Sequence, residues 1–298
     1  MKKIWSYIDR YRNRQRKKRR TSQKRMQRQS YIDNGMVPWT EGYVDYKLEQ
    51  IEKSLTNRNL LAGIQNGELP SGYGYRIDER IVEYPWIFSK LPSEEVSLLD
   101  AGSTLNYGYV VNHDLIENKN LTIFTFAPEE IAYYKKRISY VYGDLREMYF
   151  KDESFDFVVS QSTIEHIDMD NSVYGYDLEH NKDKTQKSYE YMKAINEMVR
   201  VLKPSGHLLL TFPFGIFEHH GFFQQFDSEM LGRIYKTLEN SGKFTTSFFK
   251  YAADGWSFAS LNEVEAARSH NPHTGLGVGE DMAAHSRAVA CIEFIKTN

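Results

Sequence analysis

The sequence predicts an α/β fold: a doubly wound, mostly parallel sheet with helices on both faces, preceded by a helical extension. Three observations predict it. Short apolar runs recur at Val96–Asp100, Leu121–Phe126, Ile138–Tyr142, Phe155–Ser160 and Leu208–Phe212. Runs of that length, bounded by turn residues, are the pattern of strands buried on both faces. Helical segments alternate with them, most clearly Ser188–Leu202, where Met192, Ile195, Val199 and Leu202 recur on one side before Lys203-Pro-Ser-Gly206 ends the helix. Two further apolar runs, Phe244–Tyr251 and Ala288–Ile295, close the sheet and bring the expected strands to seven.

The first strand carries the most informative turn. The run Val96-Ser-Leu-Leu breaks at Asp100-Ala-Gly102 and re-enters a helical pattern at Leu105, Tyr109 and Val110. A strand that turns sharply into a helix leaves N–H groups unpaired, and a glycine beside them lets a ligand approach the main chain. Ligands of open α/β sheets sit at the carboxyl ends of the strands. A small-molecule site is therefore expected here. Behind the second strand, Pro128-Glu-Glu-Ile reads as a helix start, with proline and acids in its first turn. The polar segment between the closing strands contains Trp256, His270 and His273.

Three regions precede or make up the fold: a basic tail over 1–30, a helical or lid region over 31–91, and the sheet domain over 92–298. The tail has thirteen Lys and Arg against one acid, Asp9, leaving 25 bases against 39 acids in the remainder. Its run Arg16-Lys-Lys-Arg-Arg20 favours disorder, whereas Ile4, Trp5, Ile8 and Tyr11 recur at helical spacing. A solvated tail and an amphipathic helix on an anionic membrane surface both fit that pattern. In the second region Tyr46–Leu61 reads as one helix. The stretch from Pro70 to Trp86 reads as a helix packed by Ile81, Tyr84 and Trp86, as a lid over a ligand at the Gly102 turn, or as both at once.

With 298 residues and 41% hydrophobic content the chain can build a large core. No apolar run approaches the ~18 residues that span a bilayer. The charged N-terminus lacks the apolar segment of a secretory signal. The single cysteine, Cys291, lies in Ala-Val-Ala-Cys-Ile, excludes an internal disulfide and reads as a core residue, so a cytoplasmic setting is expected.

Residues of matching kind follow each strand: Asp100-Ala-Gly102, Thr125-Phe-Ala-Pro-Glu129, Gly143-Asp144-Leu145 and Ser160-Gln-Ser-Thr-Ile-Glu-His166. With Arg200-Val-Leu-Lys-Pro-Ser-Gly206, this series resembles the class I S-adenosylmethionine-dependent methyltransferases over about residues 95–215. It is similar to small-molecule methyltransferases with a Glu-His pair after the fourth strand. The phrases around Asp78-Glu-Arg80 and Glu83-Tyr-Pro-Trp also look like methyltransferases of bacterial surface-glycan (polysaccharide) biosynthesis. The resemblance implies a seven-stranded Rossmann-like methyltransferase sheet and S-adenosylmethionine as cofactor. It further implies that Asp100, Ala101 and Gly102 hold the methionine end, with Ser103 and Asn106 lining the turn. Asp144 and the Leu145 amide would meet the adenine, and Gln161 would border the sulfonium. The acid expected at the second strand end is Thr125, which offers no charge-assisted bidentate contact; Glu129 could stand in for it. A cofactor-binding scaffold without catalysis is therefore an alternative.

Methyl transfer from a sulfonium needs alignment and exclusion of water, and a hydroxyl acceptor also needs a base. His166 is the first candidate for it, with His219 and His220 after the fifth strand as second choices. His166-Ile-Asp168-Met-Asp170 also spaces polar groups as a divalent ion would require, although solvated loop acids are the commoner case. Amine methyltransferases acting on nucleic-acid bases usually carry Asn/Asp-Pro-Pro-aromatic where this chain has Gln161-Ser-Thr-Ile. That weighs against nucleic acid and leaves an RNA methyltransferase resting on the basic tail alone. The expected partner is a small-molecule or glycan acceptor, methylated on oxygen, with possible peripheral membrane contact through residues 1–30.

Overall fold

The computed structural model describes residues 21–175 and 179–297. In chain order its strands are β1 (Ser97–Ala101), β2 (Asn120–Thr125), β3 (Ile138–Tyr142), β4 (Phe155–Gln161), β5 (Leu202–Pro213), β6 (Glu218–His219), β7 (Gln224–Gln225), β8 (Gly242–Ala252), β9 (Gly255–Ala259) and β10 (Ala288–Lys296). Eight of them form one sheet, in the order β3-β2-β1-β4-β5-β10-β8-β9, while β6 and β7 pair as a separate short hairpin. The first five strands of the sheet are parallel, and β10, β8 and β9 are antiparallel.

Side-chain alternation along the strands divides the core in two. Leu98, Ile123, Phe157, Val159 and Leu209 face one cluster, and Leu99, Phe124, Val158, Leu208 and Leu210 face the other. On the first side lie α1 (21–33), α2 (Tyr43–Thr56), α3 (Arg58–Gln65), α4 (Arg80–Lys90) and the single turns α5 (Gly108–Val111) and α6 (Asp114–Glu117), of which α2 to α6 place residues in that cluster. On the second lie α7 (Tyr191–Val201), α8 (Ser228–Glu239) and the single turn α9 (Leu261–Val264). Each fully buried Leu or Phe stabilises the fold by about 1.5–3 kcal/mol. Cys291 sits in β10, fully buried, and burial pushes its thiol well above the usual range, as suits a core residue.

The expectations need three corrections. The helix read over Tyr46–Leu61 is two, because the Asn57 side chain accepts from Leu60 N at 3.1 Å and starts α3 on a new axis. Pro128-Glu-Glu-Ile does not open a helix, and β2 reaches β3 through an irregular loop. That loop is tethered from outside: Asn106 Nδ2 donates to Ile131 O, and the Tyr140 hydroxyl bridges Tyr133 N and Asn106 Oδ1. Ile131 is 58% exposed, so a helix there would have had no apolar face to bury. The sheet has eight strands, because Trp256 and Phe258 turn back from β8 through Gly255 (φ +123°) to form β9. Arg76–Trp86 contains the expected packed helix, with Ile81, Tyr84 and Trp86 buried.

Ile4, Trp5, Ile8, Tyr11 and Arg16–Arg20 lie outside the described residues. Residues 21–33 are helical and rest on α2 through Lys24–Asp45 and Arg28–Glu49 ion pairs and through Tyr31 against Tyr43. Among the described residues no helix is long and apolar enough to cross a membrane.

Candidate active site

A cleft with a cavity volume of about 370 Å³ opens at the carboxyl ends of β1 to β4. Gly102, Ser103, Thr125, Glu129, Asp144 and Leu145 line one half of it, and Arg80, Ser162, Thr163, His166, Asp168 and Asn171 line the other. Its size is that of a small-molecule site.

Local chemistry explains the first half. Gly102 has φ +129°, and a β-carbon there would lie 2.2 Å from Thr163 Oγ1, so only glycine fits. Ser103 follows at φ +62°. Asp100 does not line the cleft. It is fully buried, and its two oxygens accept from Thr104 N at 3.1 Å and Leu105 N at 2.7 Å, which fixes the turn from behind. Burial pushes its carboxyl up to about 7 against the pull of those two N–H donors. Ala101 is buried in β1, and Asn106 anchors the 126–137 loop instead of facing the cleft. Asp144 is gripped by Arg146, with Nη2 at 2.7 Å and Nε at 3.1 Å. Burial would raise the Asp144 carboxyl, but those hydrogen bonds hold it below its usual value.

The second half is organised by a residue the sequence reading passed over. Glu83 on α4 is fully buried; one of its oxygens accepts from Ser162 Oγ at 2.5 Å and Thr211 Oγ1 at 2.6 Å. Its other oxygen accepts from Arg80 Nη1 at 2.9 Å and Gln161 Nε2 at 3.4 Å. Arg80 Nη1 also meets the Gln161 carbonyl at 3.4 Å. Gln161 thus stands behind the cleft wall, facing α4, and does not border the cavity. The available signal was the density of charge in Asp78-Glu-Arg80…Glu83, inside an otherwise apolar helix. Glu165 is also buried, and burial pushes its carboxyl well above the usual range.

His166 lines the cleft, and its Nδ1 lies 2.7 Å from Phe222 O. A carbonyl only accepts, so Nδ1 carries the proton and Nε2 is the acceptor nitrogen. Burial lowers its pKa from 6.5 to about 4 despite the Phe222 bond. His219 and His220 do not line the cleft. They belong to the β6–β7 hairpin, where His220 stacks on Phe223 at 4.4 Å and His219 Nδ1 accepts from Gly221 N. Phe222 and Phe223, both in ring contact with His166, lie at the tip of the same hairpin. No group of three or more His, Cys, Asp or Glu among the described residues is placed to hold a metal. Asp168 accepts from Ser188 Oγ and Asp170 from Ser172 N, so the spaced acids after His166 serve the loop.

An S-adenosyl compound fits this arrangement. Ser103 Oγ is buried without a partner, and Gly102 and Ser103 both line the cleft. Asp144 supplies acceptors at the third strand end.

Residues 99–210, a little over a third of the chain, match the family model described as Methyltransferase domain. No curated protein matches the chain. Among solved structures, the YcgJ protein of Bacillus subtilis is 12% identical, with a TM-score of 0.41, covering 70% of this chain and 94% of its own. The 1,6-didemethyltoxoflavin-N1-methyltransferase of Burkholderia thailandensis, solved with S-adenosylhomocysteine, is 14% identical, with a TM-score of 0.39, covering 69% and 72%. The N-methyltransferase NodS of Bradyrhizobium japonicum, solved with S-adenosylhomocysteine, is 15% identical, with a TM-score of 0.41, covering 85% and 99%. The matched segment runs from β1 into β5 and so contains the four strand ends that build the cleft.

Proposed function

We propose that this protein, an S-adenosylmethionine-dependent methyltransferase, methylates a hydroxyl of a small-molecule or glycan acceptor, with His166 as general base. The observation that carries this reading is the Nδ1–Phe222 contact, which fixes the imidazole with its acceptor nitrogen, Nε2, as the proton-accepting atom. Ser162, Thr163, Asp168 and Asn171 line the same half of the cleft and suit a hydroxyl-rich acceptor.

Bound S-adenosylmethionine supplies an electrophilic methyl on a sulfonium. Gly102 and Ser103 would hold its methionine end, Thr125 and Glu129 its ribose, and Asp144 with the Leu145 amide its adenine. The protein's own part is to align the acceptor, exclude water and take the hydroxyl proton on Nε2 as the new carbon–oxygen bond forms. A lowered pKa keeps that nitrogen unprotonated through neutrality. The same shift links to stability. The unfolded chain binds the proton first, so the contribution of His166 is complete above pH 6.5 and lost as pH falls toward 4.

Transfer of labelled methyl into a fractionated pool of polar saccharides and small metabolites tests the reading. The rate should stay level from neutrality down through pH 6 and fall only toward pH 4, and His166→Asn should slow transfer by about 10²-fold or more. Label on an amine, or full activity of His166→Asn, refutes O-methylation through this base.

A further inference from the structure

Two arginines, Arg80 and Arg146, line the cleft, and among the described residues no lysine joins them. Arg146, just past β3, is committed to Asp144 and Glu190. Arg80 sits instead at the end of β4. Its Nη1 donates to Glu83 Oε2 at 2.9 Å and meets Gln161 O at 3.4 Å. Thr163 Oγ1 donates to that same carbonyl at 3.0 Å, and Thr163 is also what a β-carbon on Gly102 would strike. The guanidinium and the Gly102 turn therefore share one short segment, Gln161–Thr163.

A guanidinium presents five N–H donors in a fixed fork, and two of them match one carboxylate. Among the described residues only Nη1 of Arg80 makes a hydrogen bond, which leaves Nε and Nη2 unused. The side chain is 27% exposed, and the cleft is the space it lines. The charges around it indicate what those donors take. Glu83 balances Arg80, and Glu79 is paired with His285 Nδ1 at 2.8 Å. Burial pushes the Glu165 carboxyl well above the usual range, which keeps it neutral. A simple anion would thus bring an unbalanced charge to a balanced pair. A zwitterion would not. S-adenosylmethionine ends in an α-amino acid, whose carboxylate and ammonium add one charge of each sign. Ser103 Oγ, buried without a partner, is available to that ammonium.

We propose that Arg80 binds the α-carboxylate of S-adenosylmethionine through Nε and Nη2. This contact points the amino-acid end of the cofactor at β4 and its adenine at β3, and it selects adenosyl compounds that carry a carboxylate. The role presupposes S-adenosylmethionine as the cofactor, and the experiment below separates the two.

Calorimetric titration of the full chain uses three compounds: S-adenosylhomocysteine, its decarboxylated form, and methylthioadenosine, which lacks the amino-acid end altogether. The parent should bind S-adenosylhomocysteine about 10²-fold more tightly than the decarboxylated form, a comparison that needs no variant. In Arg80→Met, which keeps the stem and removes the charge, that preference should vanish while methylthioadenosine binds as in the parent. Arg80→Lys, which restores the charge, should recover part of the preference. A parent that binds S-adenosylhomocysteine and its decarboxylated form equally overturns the role of Arg80 and leaves the cofactor site standing. So does an Arg80→Met variant that keeps the preference, or one that loses all three compounds alike, because the arginine then only shapes the cleft. A parent that binds none of the three overturns the cofactor reading itself, and the role of Arg80 with it.

Discussion

Gly102→Ala should damage both the stability and the cofactor affinity of this protein, and the structure sets the scale. The backbone at Gly102 has φ +129°, where a residue with a β-carbon is strained by ~1–3 kcal/mol. The added methyl would also lie 2.2 Å from Thr163 Oγ1, 2.5 Å from its Cγ2 and 2.8 Å from its Cβ. Overpacking of that kind costs about 1–3 kcal/mol once the surroundings have shifted, giving a loss of roughly 2–6 kcal/mol in all. The two terms can be separated. Thr163→Ala removes Oγ1 and Cγ2 but leaves Cβ, so in Gly102→Ala/Thr163→Ala it should relieve most of the collision and none of the backbone strain. Thermal unfolding of the parent, both single variants and the double variant forms a cycle, and titration with S-adenosylhomocysteine reports the turn itself. An unchanged melting temperature and affinity in Gly102→Ala would refute the reasoning. Complete rescue by Thr163→Ala would show that the strain term is absent.

Glu83→Ala should cost about 2–6 kcal/mol, because it leaves the buried Ser162 and Thr211 hydroxyls without their acceptor and takes the counter-charge from Arg80 on the cleft wall. Chemical denaturation measures that loss, and one below ~1 kcal/mol would mean that Glu83 is not the tie between α4 and β4. Asn106→Ala should cost about 1–3 kcal/mol and increase amide exchange in 126–137, because this side chain holds Ile131 O directly and orients the Tyr140 hydroxyl that accepts from Tyr133 N. Unchanged exchange there would assign the loop's order to other contacts.

The strand framework was legible because buried parallel strands need short, nearly continuous apolar runs, and β1, β2, β4 and β5 carry them. The ends of those strands were legible for a related reason: they are the only places where such a sheet can present polar groups to a ligand. Gly102, Ser103, Thr125, Asp144, Leu145 and His166, all read from the sequence, line one cleft. Gln161 was misplaced because successive strand residues face opposite ways, and its side chain turns to Glu83 behind the wall. Asn106 and the 126–137 loop were misread because tertiary hydrogen bonds overrode a local helix start. Glu83 was invisible for a different reason. Its partners Ser162 and Thr211 lie 79 and 128 residues away in sequence, and no local pattern encodes contacts of that range. The β6–β7 hairpin likewise supplies the Phe222 carbonyl that orients His166 from 56 residues away, while its own histidines, equally eligible by type, stay out of the cleft.

Calorimetric titration of the full chain with S-adenosylhomocysteine bears most directly on the claim that the strand-end cleft is a cofactor site. One compound should bind per chain, and Asp144→Ala, which removes the acceptors at the third strand end, should weaken binding by about tenfold or more while the protein stays folded. A folded parent that releases no heat of binding, or an Asp144→Ala variant that binds as tightly as the parent, would contradict it.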